Sequence, residues 1–301
     1  MILRAAAWGP VKRLVKESSL FKPMVSRFIA GETTVDAMGA AEILAKEGFF
    51  VSLDHLGENV ATEAEANQGA DTYIEICQRI ASSEYKDRIN ISIKLTALGL
   101  DQSDELAESN YRRLLTKAAE SNTFVRADME ASEYTERTIA MVERVFPDHK
   151  NTGTVLQSYL YRTGDDVERL IKLGCRVRMV KGAYLEPDTV AHQDKAVVDE
   201  KYIEYSKKLM LRAFYPAIAS HDEKIINELV RFANHEKIDK SRFEFQMLFG
   251  IRRDLQYKLK DEGFNVRVYL PYGDSWYPYF SRRLAERPAN MFFILKTLFR
   301  K

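Results

Sequence analysis

The sequence predicts an α/β chain folded as one closed (βα)8 barrel, and three observations carry that reading. Eight short β-branched or aromatic runs are each followed by a longer stretch with apolar residues every three to four positions. Their starts are separated by 41, 33, 30, 23, 39, 27 and 23 residues, which brackets the roughly thirty residues of a strand, helix, strand unit. No two of the 14 glycines lie two residues apart, so the G-x-G-x-x-G turn of an open dinucleotide-binding sheet is missing.

Taken in order, residues 1 to 47 read as a helical N-terminal extension, with Gly48 as the break before the first strand. Strand candidates then begin near Phe49 (FFVSLDHL), Asn90 (NISIKLT), Thr123 (TFVRADME) and Gly153 (GTVLQSY). The second half continues from Arg176 (RVRMVKG), Tyr215 (YPAIASHD), Arg242 (RFEFQML) and Asn265 (NVRVYLP). Helices fill the gaps between them. In the final helix, within GDSWYPYFSRRLAERPAN, Asp274 or Ser275 is placed to cap the start, Pro278 suits the first turn and Pro288 marks the end. The barrel is assigned to residues 48–290 and an amphipathic tail to 291–301, with no linker or second domain between.

Composition narrows the function. Lys plus Arg number 45 against 44 Asp plus Glu, so there is no global positive field for nucleic acid. Cys77 and Cys175 stand alone, outside any C-x-x-C, which fits a reducing compartment and speaks against zinc or a disulfide scaffold. No apolar stretch approaches the roughly twenty residues of a membrane-spanning helix, and no secretory signal pattern is present. Arg4, Lys12, Arg13 and Lys16 give the N-terminus only a faint resemblance to a mitochondrial presequence. The chain is therefore expected in the cytoplasm. In the tail, Phe292, Leu295 and Phe299 share a helical face with Lys296, Arg300 and Lys301 mostly off it, which suits either docking on the barrel or peripheral contact with the inner face of a membrane.

In this fold the chemistry sits at the carboxyl ends of the strands. Those ends carry Asp54 and His55, Lys94, Asp128 and Glu130, Gln157, Arg178 and Lys181, Ser220 with His221 and Asp222, Gln246, and Tyr269. Ser220, His221 and Asp222 are consecutive, so their side chains alternate and form no triad among themselves. The five histidines lack paired-ligand spacing, which argues against a catalytic metal. Tyr279, Arg282, Arg283 and Glu286 follow i, i+3, i+4, i+7 on one helical face. That face is either a bidentate carboxylate clamp or an ordinary i, i+4 salt bridge between Arg282 and Glu286. Lys94 and Lys181 are either cationic anchors or imine-forming amines, the latter giving a barrel lyase or aldolase as the alternative function.

Four segments, SIKLTALGL, RVRMVKGAY, FEFQMLFG and RVYLPYGDSWYPYFSRRLAE, resemble the proline dehydrogenases, in particular the bacterial monofunctional enzymes. The resemblance runs from about VSLDHLGE to the C-terminus with the motifs in the expected order. It implies a distorted (βα)8 barrel that holds FAD noncovalently, oxidises L-proline to 1-pyrroline-5-carboxylate and passes electrons to a membrane quinone. By position, Arg282 and Arg283 match the pair that binds the proline carboxylate, and Lys94 a lysine beside it. Tyr269 and Tyr279 match aromatics at the proline ring, with Leu248 and Ala183 as apolar wall. Arg178 matches an arginine near the flavin N5, and Asp128 with Met129 the pair beside flavin and substrate lysine. Gln157, Val180, Lys181, Gly182, Tyr184, Ser220, His221 and Glu286 match FAD-contacting positions.

Two departures qualify the resemblance. Leu185 stands where bifunctional bacterial relatives carry Trp, and no aldehyde dehydrogenase domain is expected, which implies a separate enzyme for the pyrroline product. The bulk of Tyr269 is expected to favour proline over 4-hydroxyproline.

Overall fold

The computed structural model describes residues 25–285, the last four as backbone. Eight parallel strands close into a barrel in chain order: β1 (Phe50–His55), β2 (Ile89–Ile93), β3 (Val125–Ala127), β4 (Thr152–Gln157), β5 (Arg176–Val180), β6 (Ala217–Ala219), β7 (Glu244–Leu248) and β8 (Asn265–Tyr272). Each lies within a run expected from the sequence to within one residue, β2 and β4 starting one residue earlier and β8 ending one residue later. β3 and β6 are shorter than those runs, so Asp128, Met129 and Glu130 leave the strand, although the Asp128 amide still donates to the Ile93 carbonyl at 2.8 Å.

The helices in chain order are α1 (Thr34–Lys46), α2 (Glu63–Ala81), α3 (Asp104–Glu120), α4 (Ser132–Val145), α5 (Thr163–Leu173), α6 (Lys195–Arg212), α7 (Glu223–His235), α8 (Arg253–Asp261) and α9 (Tyr277–Ala285). α1 and α2 each start on a capping box, Thr33 with Asp36 and Thr62 with Glu65. α1 stops at Glu47, and Gly48 at φ +94° turns the chain into β1, a left-handed conformation that glycine takes without strain.

α1 buries Ala37, Met38, Ala41 and Leu44 and packs against β1 and β8. It covers the flank where a regular barrel would place the helix that follows β8. α9 lies at the mouth instead: Phe280 meets Phe28 at 6.3 Å, Trp276 Nε1 donates to Glu32 Oε1 at 3.0 Å, and Tyr279 reaches the central cavity. α9 begins at Tyr277, so the residue before it is Trp276 and not Asp274 or Ser275, the caps that the sequence predicts. Those two bond each other, Ser275 Oγ donating to Asp274 Oδ1 at 3.2 Å.

The strands have two contrasting faces, as a period of two requires. Outward residues such as Val51, Leu53, Ile91, Ile93, Val177, Met179, Phe245 and Val268 are buried beneath the helices and make up most of the core. Inward positions carry Ser52, Asp54, Ser92, Arg126, Arg178, Glu244, Gln246, Arg267 and Tyr269. A (βα)8 barrel usually fills its interior with branched apolar side chains. This one is filled by hydrogen-bonding groups that reach across it, Arg178 of β5 to Ser92 of β2 at 3.0 Å and Tyr269 of β8 to Asp128 beyond β3 at 2.7 Å.

Candidate active site

A cavity of about 460 Å³ opens at the carboxyl ends of the strands. Its centre is the buried guanidinium of Arg178. Nη1 donates to Asp128 Oδ1 at 2.7 Å, Nη2 to Ser92 Oγ at 3.0 Å and Nε to Gln246 Oε1 at 2.5 Å. The Tyr269 ring lies 5.1 Å from the guanidinium carbon, and the Tyr269 hydroxyl donates to the second oxygen of Asp128. One carboxylate therefore ties a cation and a phenol together. Burial, with the charges of Asp128 and Asp54, pushes the Tyr269 phenol well above its ordinary range, so it remains a neutral donor.

Lys94, just past β2, is a second buried cation, with Nζ 3.3 Å from Asp54 Oδ1 and 3.9 Å from Glu58 Oε2. Burial alone would lower its pKa, but Asp54, Tyr73, Glu58 and Asp128 together hold it raised and the ammonium charged. Lys181 is tied to Asp199 at 2.5 Å and Asp222 at 3.4 Å. Lys94 is thus held as an ammonium ion by carboxylates, whereas an imine-forming amine must be neutral, and Lys181 is ion-paired to two carboxylates. The geometry fits the anchor reading of each.

Of the residues expected at the site, Lys94, Asp128, Met129, Gln157, Arg178, Val180, Lys181, Gly182, Ala183, Tyr184, Ser220, His221, Leu248, Tyr269 and Tyr279 line this space. Arg282 and Arg283 lie in α9, but their side chains, like the whole of Glu286 and the tail from 291, fall outside the described residues.

Two strand-end polar groups do not face the cavity. His55 turns outward between the rings of Tyr73 and Tyr272, with centroids 6.2 and 5.2 Å away, because it occupies the opposite face of β1 from Asp54. Glu130 turns back to accept from Thr96 Oγ1 at 2.6 Å, and burial raises its carboxyl to about 7. Conversely, Ser92, Gln246 and Asp54 take part in the site without having been assigned a role in it. Alternation with apolar neighbours on β1, β2 and β7 is the signal that marks them.

Several features suit a planar, hydrogen-bonding cofactor. Gln157 is 3% exposed, and its Nε2 is spent on the Glu130 carbonyl at 3.2 Å, which leaves Oε1 buried with no protein donor. Gly182, at φ +117°, sits so close to Tyr159 that a Cβ would lie 2.4 Å from its ring, so the chain at this wall admits no side chain. Val155, Val180, Met129 and Leu248 supply apolar surface, and His221 Nε2 is occupied in accepting from the Leu248 amide at 2.9 Å.

Residues 37–296 match the family model for proline dehydrogenase. The chain belongs to the proline dehydrogenase family. It is 40% identical over 275 residues to Proline dehydrogenase 1 of Bacillus subtilis strain 168, covering 91% of this chain and 90% of that one. Against the proline dehydrogenase of Deinococcus radiodurans the figures are 41% over 276 residues, 91% and 89%. The bifunctional protein PutA of Escherichia coli K12 is 28% identical over 314 residues, 90% of this chain but 24% of that protein, so the likeness is to the monofunctional proline dehydrogenases. In three dimensions the crystal structure of proline utilization A from Bdellovibrio bacteriovorus, inactivated by N-propargylglycine, superposes with a TM-score of 0.83 at 26% identity, over 92% of this chain and 33% of that one. The chain shares the barrel of the matched third of that protein.

Proposed function

We propose that the mouth of this barrel oxidises L-proline to 1-pyrroline-5-carboxylate with a noncovalently held FAD, and that the electrons pass to a quinone. The observation that carries the reading is the Arg178, Asp128 and Tyr269 cluster beside Lys94 in one cavity, within a chain of the proline dehydrogenase family. When bound, the flavin supplies the hydride acceptor.

The protein's own groups do the rest. Lys94 anchors the substrate carboxylate together with Arg282 and Arg283, the latter pair carried over by sequence match. These cations disfavour a further positive charge, so the proline amine binds neutral with its lone pair free to drive hydride departure. Tyr269, Tyr279 and Leu248 wall the ring and exclude water. Arg178 aims its charge at the region where negative charge grows during the reaction, a preorganised contact that needs no rearrangement. Gln157 Oε1 and Lys181 are placed to hold the cofactor, and Ala183, Val180, Gly182, Tyr184, Ser220, His221, Met129 and Glu286 complete its surroundings by sequence match.

Among the described residues no helix is long and apolar enough to cross a membrane. In this reading the catalytic barrel spans 48–290, and the 291–301 tail brings it to the inner face of the membrane where a quinone is met. A separate dehydrogenase then consumes the pyrroline product. The test is proline-dependent reduction of a soluble quinone analogue, with the product trapped chemically. Turnover with trapped pyrroline is expected. No turnover, with borohydride fixing a carbonyl substrate to Lys94 or Lys181, would restore the lyase reading.

A further inference from the structure

Arg178 needs three acceptors to fix the plane of its guanidinium, and one of them is an amide. Gln246, on β7 and 2% exposed, receives Arg178 Nε through Oε1 at 2.5 Å, while its Nε2 donates to Glu244 Oε1 at 2.5 Å. Glu244 lies two residues back on the same inward face of β7 and is fixed in turn, accepting from Arg267 Nε at 2.8 Å and from the Tyr215 hydroxyl at 3.2 Å. An amide presents an acceptor on one side and a donor on the other, so its orientation depends on its neighbours. Here a flipped Gln246 would set its NH₂ against the N–H of Arg178 and its oxygen against the Glu244 carboxylate. Both contacts would be repulsive, so the floor carboxylate dictates which end of the amide faces the mouth.

We infer that Gln246 is a positioning residue for Arg178, its amide oriented by the Glu244–Arg267 pair so that it holds the guanidinium in place without neutralising it. The chemical identity matters. A carboxylate at this position would anchor Arg178 equally well but would place a second negative charge beside a cation already shared with Asp128. A neutral acceptor fixes direction and leaves the positive potential at the mouth intact. This rests on the reading that Arg178 faces a bound flavin. Because negative charge reaches the flavin only as hydride arrives, a displaced Arg178 harms the reaction and the reduction equilibrium, not the initial capture of proline.

The test uses purified holoprotein carrying Gln246→Leu or Gln246→Glu, with the flavin's two-electron reduction read against a reference dye. Gln246→Leu removes both hydrogen bonds. Its reduction equilibrium constant is expected to fall about tenfold, the equivalent of one charge-assisted hydrogen bond and of about 30 mV for a two-electron couple. kcat should fall in step while KM for proline stays within about twofold.

Gln246→Glu must share one proton with Glu244, so at mildly acid pH it still offers Arg178 an acceptor and should behave like the parent. Its equilibrium constant should then drop relative to the parent as pH rises and the second carboxylate ionises. If both variants keep the parental equilibrium at every pH, Gln246 does not position Arg178. A parent protein that carries no flavin would overturn the underlying reading and this inference with it, whereas a flavin-bearing parent with unmoved variants overturns the positioning role alone.

Discussion

The floor and the mouth of this barrel use the same chemical pair to opposite ends. At the floor, Arg267 meets Glu244 at 2.8 Å and also donates to the Val51 carbonyl at 2.8 Å, with both side chains almost fully buried and every partner supplied by the protein. At the mouth, Arg178 meets Asp128 at 2.7 Å, but this pair borders a cavity and shares its carboxylate with a tyrosine. Gln246 joins the two ends. The contrast teaches that the same arginine–carboxylate pair can be closed over by its environment or left with one side open to a cavity, and the proposed function gives a chemical role to the open one.

The largest effect should come from breaking the floor. Removing one partner of a buried ion pair strands the other without compensation, so Arg267→Ala is expected to cost about 3–5 kcal/mol in denaturant unfolding. A loss below about 1 kcal/mol, the level of an exposed pair such as Arg79 with Glu75, would place the floor with ordinary surface bridges.

At the mouth the same type of change should separate stability from rate. Arg178→Lys keeps a charge opposite Asp128 but loses the planar fork that reaches three acceptors, so melting should stay close to the parent while kcat falls about a hundredfold. Equal losses in both would show that Arg178 is structural after all.

Smaller again is the effect of trimming the wall. Tyr269→Ser gives up the bond to Asp128 and opens space beside the ring. kcat/KM for proline should fall about tenfold, and the discrimination against 4-hydroxyproline should narrow, as read from the ratio of kcat/KM for the two substrates. An unchanged ratio would remove Tyr269 from specificity.

The smallest effect concerns Glu130, which belongs to neither end. Its carboxyl is raised from 4.5 to about 7, chiefly by burial. The folded state therefore binds this proton more tightly than the unfolded chain does, and the resulting stability is full below the ordinary carboxyl range and lost as pH climbs through about 7. Glu130→Gln cannot ionise, so its stability relative to the parent should increase between mildly acid and mildly alkaline pH in urea unfolding. A constant difference across that range would mean that Glu130 does not titrate there.

The barrel is legible in the chain because each strand is a compact β-branched or aromatic run and each helix a longer periodic one, a local signal that survives without tertiary information. The strand-end rule also brings the side chains it singles out to one cavity, from Lys94 just past β2 to Tyr269 on β8. What escapes it is partnership across the barrel. Arg178 bonds to Ser92 and Gln246, on strands that are not its neighbours, and no spacing along the chain encodes that distance. His55 and Glu130 sit at strand ends yet face elsewhere, His55 because alternation turns it outward and Glu130 because Thr96 captures it. The shift of α9 from the flank to the mouth depends on docking of Trp276 and Phe280 against the segment before α1, which helical periodicity does not contain.

The most direct test of the central claim is the visible absorption spectrum of the purified protein during anaerobic addition of L-proline. A flavin spectrum that bleaches on proline is the expected result, since it shows cofactor and substrate meeting at one mouth. Colourless protein that remains inert after FAD is supplied would contradict the account.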